Sequence, residues 1–226
     1  MNKKKASRLF NILIVLFEII GIIEVLKLNQ KIGFEYYTED SNILALISSF
    51  LFVIYLLKDK RIPRWLQIFK YMTTICLSIT FVVVITILGP LDNFDYSFLL
   101  FSKALFIQHL VCPILAFITF VIFDEIKPLS TVDNIIGLFV TLLYSVILIA
   151  LNLFKVVVGP YPFLMIREQT ISISIAWCIS LFAISYLVAL LLRVLVKRNY
   201  DKIQNLKYKT KEKVKKIVKN KRIFNN

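Results

Sequence analysis

LFNILIVLFEIIGIIEVLKL, residues 9–28, is the first of several long apolar stretches in this sequence. About 20 mostly apolar residues suffice for an α-helix to cross a bilayer. The basic residues ahead of the stretch resemble the start of a signal peptide. The stretch is too long for one, however, contains Glu18 and Glu24, and lacks a small-residue cleavage site. It is therefore predicted to stay in the protein as a first membrane-spanning helix.

The composition is that of a membrane protein. The 226 residues are 58% hydrophobic with a mean hydropathy of +0.77, yet they carry a formal net charge of +14. The basic residues cluster at Lys3–Arg8, at Lys58–Arg64 and after Arg193, so they flank apolar stretches rather than covering a folded face. This pattern argues against nucleic acid as a partner and favours membrane lipids with anionic head groups.

Six stretches are long and apolar enough to span a membrane. They are Leu9–Leu28, Asn42–Leu57, Phe69–Leu88, Lys103–Phe123, Asp133–Phe154 and Ile171–Val196. The second is short and is expected to include part of the segment before it. The sequence therefore predicts an all-α, polytopic integral membrane protein, with a six-helix transmembrane bundle over residues 1–200 and no separate soluble domain.

The distribution of Lys and Arg predicts the orientation of the bundle. With six spans, the basic N-terminus, the loop at Lys58–Arg64 and the C-terminus fall on one side, together with the loop Asp124–Asp133, which offers only Lys127. The positive-inside rule makes that side cytoplasmic and places the protein in the cell membrane.

Residues 201–226 form a basic cytoplasmic tail. Its apolar residues fall within one helical stripe: Ile203, Leu206, Val214, Ile217 and Val218. This favours an amphipathic helix that lies on anionic head groups of the inner leaflet. A disordered basic tail is the alternative.

Neither metal nor disulfide is expected. The cysteines, Cys76, Cys112 and Cys178, are odd in number, form no CxxC pair and lie inside apolar stretches. The single histidine, His109, excludes every site that requires two. We therefore expect no bound metal or other cofactor.

The first polar cluster is YYTEDSN at residues 36–42, just before the second span. Thr38 or Asp40 can cap that helix. Thr38, Ser41 and Asn42 continue at helical spacing into Ala45, Ser48 and Ser49, a small and polar face that should turn towards the bundle interior. Capping and close packing explain this cluster as well as a binding or reactive site does.

The second cluster is QHLVCP at residues 108–113. Pro113 leaves the carbonyl of His109 without its usual partner and favours a kink there. Ser102 lies seven residues earlier, on the same predicted helix face. A neutral imidazole roughly 10 Å below the outer end of the helix acts either as a general base or as a hydrogen-bonding strut.

The third cluster, GPYPF at residues 159–163, predicts a stiff turn that includes Tyr161. It serves either as a rigid cap on the bundle or as one wall of a pocket open to lipid.

The order of YYTEDSN, a helical histidine with proline four residues later, and GPYPF before a last helix resembles the androgen-induced family of membrane threonine hydrolases and its uncharacterised bacterial branch. Members of that family hydrolyse fatty acid esters of hydroxy fatty acids. The resemblance implies that Thr38 is the nucleophile and His109 the base. The polar clusters add Tyr37, Ser41, Asn42, Ser102, Pro113 and Tyr161 as candidate pocket or supporting residues.

Two hypotheses follow. The first is a hydrolase of lipid acyl esters, whose pocket faces the outer leaflet and brings Thr38 to within about 3 Å of His109. The sequence offers it no GxSxG motif and no acidic residue next to His109. The second is a small transporter or lipid-binding scaffold without enzymatic activity, which a continuous polar path between the two faces would favour. The oligomeric state is left open.

Overall fold

The computed structural model describes residues 2–27 and 35–224, without the side chains of 213–224. Within these residues the protein is helical and contains no strand. Six helices are long and apolar enough to cross a membrane. They are α1 (Lys3–Lys27), α2 (Tyr37–Leu57), α3 (Arg64–Leu91), α4 (Lys103–Phe123), α5 (Thr131–Leu153) and α6 (Ile171–Phe224). The predicted all-α six-helix bundle is confirmed.

The spans differ from the predicted ones mainly where polar residues extend a helix. α1 begins at Lys3 rather than Leu9, and α3 begins at Arg64 rather than Phe69. α2 begins at Tyr37 rather than Asn42, because its polar first turn is covered by other helices and needs no contact with lipid. α4 has the predicted bounds, α5 differs by at most two residues at either end, and Leu28 lies outside the described residues.

The basic tail is a direct continuation of the last span. α6 runs from Ile171 to Phe224 without a break, so residues 201–224 are helical. The side chains of Val214, Ile217 and Val218 lie outside the described part of the chain. Contact of the predicted amphipathic stripe with the inner leaflet therefore stays a prediction.

Three turns in the described part of the bundle are wider than the turns of an α-helix. They are π-helical and comprise Val84–Leu88 in α3, with Ile107–Val111 and Thr119–Phe123 in α4. The second contains His109 and ends just before Cys112–Pro113. Pro113 has no N–H for the His109 carbonyl, and the amide of Cys112 donates to Ile107 five residues back instead of four. The kink predicted at Pro113 thus takes the form of a widened turn.

α3 is the central helix and packs against α2, α4, α5 and α6. The Tyr71 side chain, which is fully buried, fastens it to the outer pair of helices. The hydroxyl donates to the Ala189 carbonyl oxygen of α6 at 2.6 Å and lies 2.7 Å from the side-chain amide of Asn134 in α5. Gly137 packs on the ring, where a Cβ would lie only 2.7 Å from Tyr71 Cε1.

The bundle has two chemically distinct ends. At one, which we call the basic end, Lys4 forms an ion pair with Asp59 at 2.5 Å and Arg64 one with Asp133 at 2.5 Å. Arg64 also donates to the carbonyl of Lys127, so the predicted weak loop joins this end. The opposite end, which we call the site end, carries Thr38, His109 and residues 159–163. Which end is cytoplasmic stays a prediction from the charge pattern.

Tyr71→Phe removes the hydroxyl that joins three helices and leaves a buried acceptor unsatisfied. We expect a loss of about 1–3 kcal/mol of stability, seen as a lower thermal unfolding midpoint in detergent. Tyr55→Phe is the control, since Tyr55 is partly buried and its hydroxyl has no hydrogen bond within the described residues. Equal midpoints for the two variants would contradict a role of the Tyr71 hydroxyl in helix assembly.

Candidate active site

A hydrogen bond between Thr38 and His109 joins α2 to α4 at the site end. Thr38 Oγ1 lies 3.2 Å from His109 Nε2, and the two residues are only 8% and 5% exposed. Thr38 stands in the first turn of α2 and His109 in the π turn of α4. The structure thus brings together the two residues that the sequence singled out, at the distance expected for a nucleophile and its base.

The other ring nitrogen of His109 fixes its orientation. Nδ1 lies 2.7 Å from the backbone carbonyl oxygen of Leu99, in the short helix Ser97–Phe101. A carbonyl oxygen only accepts, so Nδ1 carries the proton in this bond. In the neutral ring Nε2 then presents a lone pair to Thr38. The Leu99 carbonyl therefore orients the His109 ring, a role for which the sequence offers no acidic residue.

The π turn places His109 where a regular helix would not. Such wide turns recur at functional sites because they rotate a side chain out of the regular spacing. Ser102, predicted on the same face, has extended backbone (φ −69°, ψ 143°), separates Phe101 from α4, and does not line the cavity at His109. Ser102 is thus the N-cap of α4 rather than a residue within it, and its supporting role stays a prediction.

Two polar residues of α2 hold the backbone of Thr38. Ser41 Oγ donates to the Thr38 carbonyl oxygen at 2.9 Å, and Asn42 Nδ2 donates to the same oxygen at 2.7 Å. Ser41 Oγ also lies 3.2 Å from Thr80 Oγ1 in α3. The predicted cap by Thr38 or Asp40 is not formed: Tyr36 is the N-cap residue and caps with no side chain. Both residues lie inside the first turn instead.

Tyr161 covers this first turn. Its hydroxyl contacts the Thr38 side chain and the backbone amides of Tyr37 and Thr38. Burial raises the pKa of the Tyr161 hydroxyl to about 12 against the opposing effect of these contacts, so the group stays a neutral proton donor. Its ring stacks on Phe163 at 5.1 Å, and Gly159 turns the preceding chain at φ +102°, a conformation that favours glycine.

A cavity of about 460 Å³ opens at the site end over the Thr38–His109 pair. We call it the site-end cavity. Its wall includes Glu39, Gln108 and Tyr161, with apolar side chains from residues 88–99. Thr38 and His109 both line it, so a molecule in the cavity can contact the pair.

An apolar passage leads from Thr38 towards the lipid. Thr38 and Tyr161 also line a narrow space of about 60 Å³, which they share with Tyr37, Val83 and Leu181. Leu181 and Ser145 in turn line a crevice of about 260 Å³ between α5 and α6, next to lipid-exposed side chains such as Phe182. We call these two spaces together the lateral passage. Thr38 lies where the lateral passage and the site-end cavity meet.

Comparison with protein-family models, with curated proteins and with solved structures finds no match to this chain.

Sequence reasoning did not assign the polar residues deeper in the bundle. Asp124 is buried at the basic end, where its Oδ1 accepts from Ser7 Oγ at 2.5 Å and from Asn11 Nδ2 at 3.0 Å. Burial raises the pKa of the Asp124 carboxyl, opposed by the Lys70 charge and by these two hydrogen bonds. The available signal was the spacing of Ser7, Asn11 and Glu18 on one face of α1, all buried.

The sequence predicts no bound metal. Within residues 2–27 and 35–224, no group of three or more His, Cys, Asp or Glu side chains has the arrangement to hold a metal ion.

The raised pKa of Asp124 predicts a pH-dependent stability. Between the ordinary and the raised pKa the folded state binds more protons than the unfolded state, so stability falls as pH rises through that window. Asp124→Asn keeps an oxygen for Ser7 and Asn11 without the buried charge. We expect it to be more stable than the wild type at neutral pH, by a margin that shrinks on acidification, in thermal unfolding scans at several pH values.

Asp59→Asn is the matched control. The hydrogen bond from Lys4 lowers the pKa of Asp59, so Asp59 changes stability with pH in the opposite direction from Asp124. Parallel pH profiles for the wild type and Asp124→Asn would contradict the expected effect of burial.

Proposed function

We propose that this protein is a membrane-embedded hydrolase of lipid acyl esters, with Thr38 as the nucleophile and His109 as the general base. The observation that carries the proposal is the 3.2 Å contact between Thr38 Oγ1 and His109 Nε2, with Nδ1 held by the Leu99 carbonyl. A hydroxyl is a weak nucleophile until a neighbouring base removes its proton. The order of motifs that resembles the androgen-induced hydrolases agrees with this assignment.

The first half of the reaction acylates Thr38. His109 Nε2 takes the hydroxyl proton while Thr38 Oγ1 attacks the ester carbonyl carbon, and the carbonyl oxygen becomes an oxyanion. When this intermediate collapses, the bond to the alcohol oxygen breaks and His109 returns the proton to that oxygen. The alcohol leaves, and the acyl group remains on Thr38.

The second half releases the acid. Water enters from the site-end cavity, gives a proton to His109 Nε2 and attacks the acyl carbon. Collapse of the second intermediate breaks the bond to Thr38 Oγ1, which recovers its proton from His109. One ester and one water become one alcohol and one carboxylic acid, and the site returns to its starting state.

The oxyanion has a donor beside it. The amides of Tyr37 and Thr38 open the first turn of α2, where the helix presents free N–H groups and a partial positive charge. The Tyr161 hydroxyl that contacts them is protonated at physiological pH. Donors fixed before the reaction stabilise developing negative charge without rearrangement. The Tyr161 oxygen accepts from these amides, so the Tyr161 O–H, held in place by them, is the donor that we assign to the oxyanion.

The lateral passage favours a lipid substrate. It is lined mainly by apolar side chains, reaches Thr38 and opens between α5 and α6. An acyl chain entering from the bilayer exchanges one apolar environment for another, while the polar alcohol portion of the ester extends into the site-end cavity. By the positive-inside rule, the site end and its cavity face the outer leaflet of the cell membrane.

The transporter alternative receives less support. Ile14, Ala45, Leu77 and Ala116, one each from α1 to α4, form a buried apolar cluster at the middle of the bundle. On each helix this residue lies between polar residues of the site end and polar residues of the basic end. An apolar layer between the polar residues of the two ends favours a pocket confined to the site end over a continuous polar path for a solute.

Thr38→Ala and His109→Ala test the reactive pair. Purified protein is treated with a lipophilic serine-hydrolase-type probe, and hydrolysis of a fluorogenic long-chain ester is measured in nanodiscs. We expect both variants to lose probe labelling and to lower the hydrolysis rate by about 10²-fold or more. Thr38→Ser is expected to keep partial activity, since it retains the hydroxyl.

Thr141→Ala is the matched control. Thr141 carries the same type of hydroxyl, partly buried in the lateral passage, but bonds Tyr37 rather than His109. Labelling that survives in Thr38→Ala, or is lost equally in Thr141→Ala, would remove Thr38 as the nucleophile.

Leu181→Trp tests the lateral passage by filling it at the point where its two spaces join. We expect the ratio of kcat/KM for long-chain over short-chain esters to fall by about 10-fold, because the long acyl chain loses its place while a short one still fits. The same assay on Leu187→Trp serves as the control, since Leu187 lies on the same helix and is 61% exposed towards lipid. An unchanged chain-length preference in Leu181→Trp would exclude the passage as the acyl site.

A further inference from the structure

Three ionisable side chains lie in the interior of the bundle, away from Thr38 and His109. Glu18 in α1 is 0% exposed, Lys70 in α3 is 1% exposed and Asp124, just after α4, is 2% exposed. Charged groups at membrane depth are costly and mark a functional site by default. None of the three is needed by the proposed hydrolase.

Lys70 links the two carboxyls electrostatically. Its ammonium interacts with both Asp124 and Glu18, although neither carboxyl comes within ion-pair distance in the described part of the chain. The ammonium donates to Ser49 Oγ at 2.5 Å and lies 5.8 Å from the centre of the Phe52 ring. Two carboxyls and one amine carry a net charge of −1 when all are ionised. Binding of one further proton makes the three residues neutral as a set, and a low-dielectric interior favours the neutral state.

The carboxyls also have free oxygens. Among the described side chains and backbone groups, neither Glu18 oxygen has a nitrogen or oxygen donor, and neither has Asp124 Oδ2. The Cys112 thiol lies against Glu18, and Lys3 acts on Asp124 from the start of α1. Buried oxygens of this kind ordinarily accept from ordered water, so each offers a place for a mobile proton.

The basic end provides access to Asp124. A cavity of about 200 Å³ lies between the start of α1, the end of α4 and α6, and Asp124 is part of its wall together with Lys3, Glu125, Lys127, Asn199 and Lys207. Asp124 is thus the residue of the set that borders this cavity, which we call the basic-end cavity.

Towards the site end, Gln108 lies between the site-end cavity and the part of α1 that carries Glu18. Gln108 lines this cavity and is 2% exposed. Its side chain packs into the space left by Gly21, where a Cβ would lie 3.2 Å from Gln108 Cγ. Gly21 is one turn from Glu18 on α1. Buried ionisable residues thus lie on both sides of the apolar layer, with Glu18 towards the site-end cavity and Lys70 and Asp124 towards the basic end.

We propose that Glu18, Lys70 and Asp124 form a proton path that connects the basic-end cavity with the site-end cavity. A proton from the basic end binds Asp124 at Oδ2 while Oδ1 keeps its bonds to Ser7 and Asn11. Lys70 gives a proton to the Glu18 carboxylate and recovers one from protonated Asp124, directly or through bound water. Glu18 then releases its proton past Gln108. One proton crosses for each cycle, every group returns to its starting state, and the direction follows the electrochemical gradient.

Proton flux into proteoliposomes tests the path. The full-length protein is reconstituted with a pH-sensitive dye inside the vesicles, and a potassium gradient with valinomycin drives protons inward. We expect the wild type to acidify the interior several-fold faster than protein-free vesicles, and Glu18→Gln and Asp124→Asn to return to the protein-free rate. Flux in the wild type no faster than in protein-free vesicles would overturn the proposal, as would variants that conduct like the wild type.

Matched controls make the same chemical changes outside the set. Glu24→Gln alters a carboxyl on the same helix that pairs with Lys27, and Asp59→Asn one that pairs with Lys4. Both are expected to conduct like the wild type, and loss of flux in either would count against the proposal.

Should a core variant fail to fold, a lipophilic carbodiimide, which reacts with protonated carboxyls in apolar surroundings, is applied to the wild type. Modification of Glu18 or Asp124 with loss of flux supports the path, and undiminished flux after that modification overturns it.

Discussion

A polar side chain on a membrane-spanning helix has no water to bond with, so it must turn inward and find its partner on another helix. This constraint sets the mutual position of α1 to α4. Contacts between different elements follow one another through the interior, and each fixes two elements at one depth. From the site end to the basic end they are Thr38–His109, Ser41–Thr80, Ser48–Thr73, Ser49–Lys70 and Asp124 with Ser7 and Asn11. Sliding one helix by a turn would break several of these bonds at once.

The outer pair of helices, α5 and α6, is held differently. Tyr71 and the Arg64–Asp133 ion pair tie it to α3 towards the basic end, and Asn199 donates to the Val121 carbonyl nearby. Towards the site end α5 is also bonded to other elements, through Tyr37–Thr141 and from Tyr144 to the Glu35 carbonyl. The crevice between α5 and α6 opens between apolar side chains of the two helices. Apolar contacts resist separation less specifically than hydrogen bonds do, so we expect entry from the lipid between α5 and α6.

The sequence was sufficient to predict the spans, because bilayer thickness translates directly into the length of an apolar stretch. It also predicted that Thr38 and His109 share one end of the bundle, since counting spans assigns each loop to a side. It could not predict that a backbone carbonyl at Leu99 orients His109, since main-chain acceptors leave no mark in the sequence. A related limit applies to Ser102: ideal spacing assumes a regular helix, whereas Ser102 is the N-cap of α4 and the helix widens at His109. The interior set of Glu18, Lys70 and Asp124 depends on how three elements meet, which no single stretch records.

The two proposed activities transfer different protons, so neither activity requires the residues of the other. In ester hydrolysis His109 takes each proton and returns it within the same half-reaction, so the site needs no supply from across the membrane. The path through Glu18, Lys70 and Asp124 makes and breaks only O–H and N–H bonds, so it needs no nucleophile. The apolar layer of Ile14, Ala45, Leu77 and Ala116 lies between the Thr38–His109 pair and the polar residues of the basic end, Lys70 and Asp124. A buried lysine near two buried carboxyls is costly in a bundle where many of the other buried polar groups are small and neutral. That cost is difficult to explain by helix packing alone, because uncharged groups such as Ser48 and Thr73 join neighbouring helices without it.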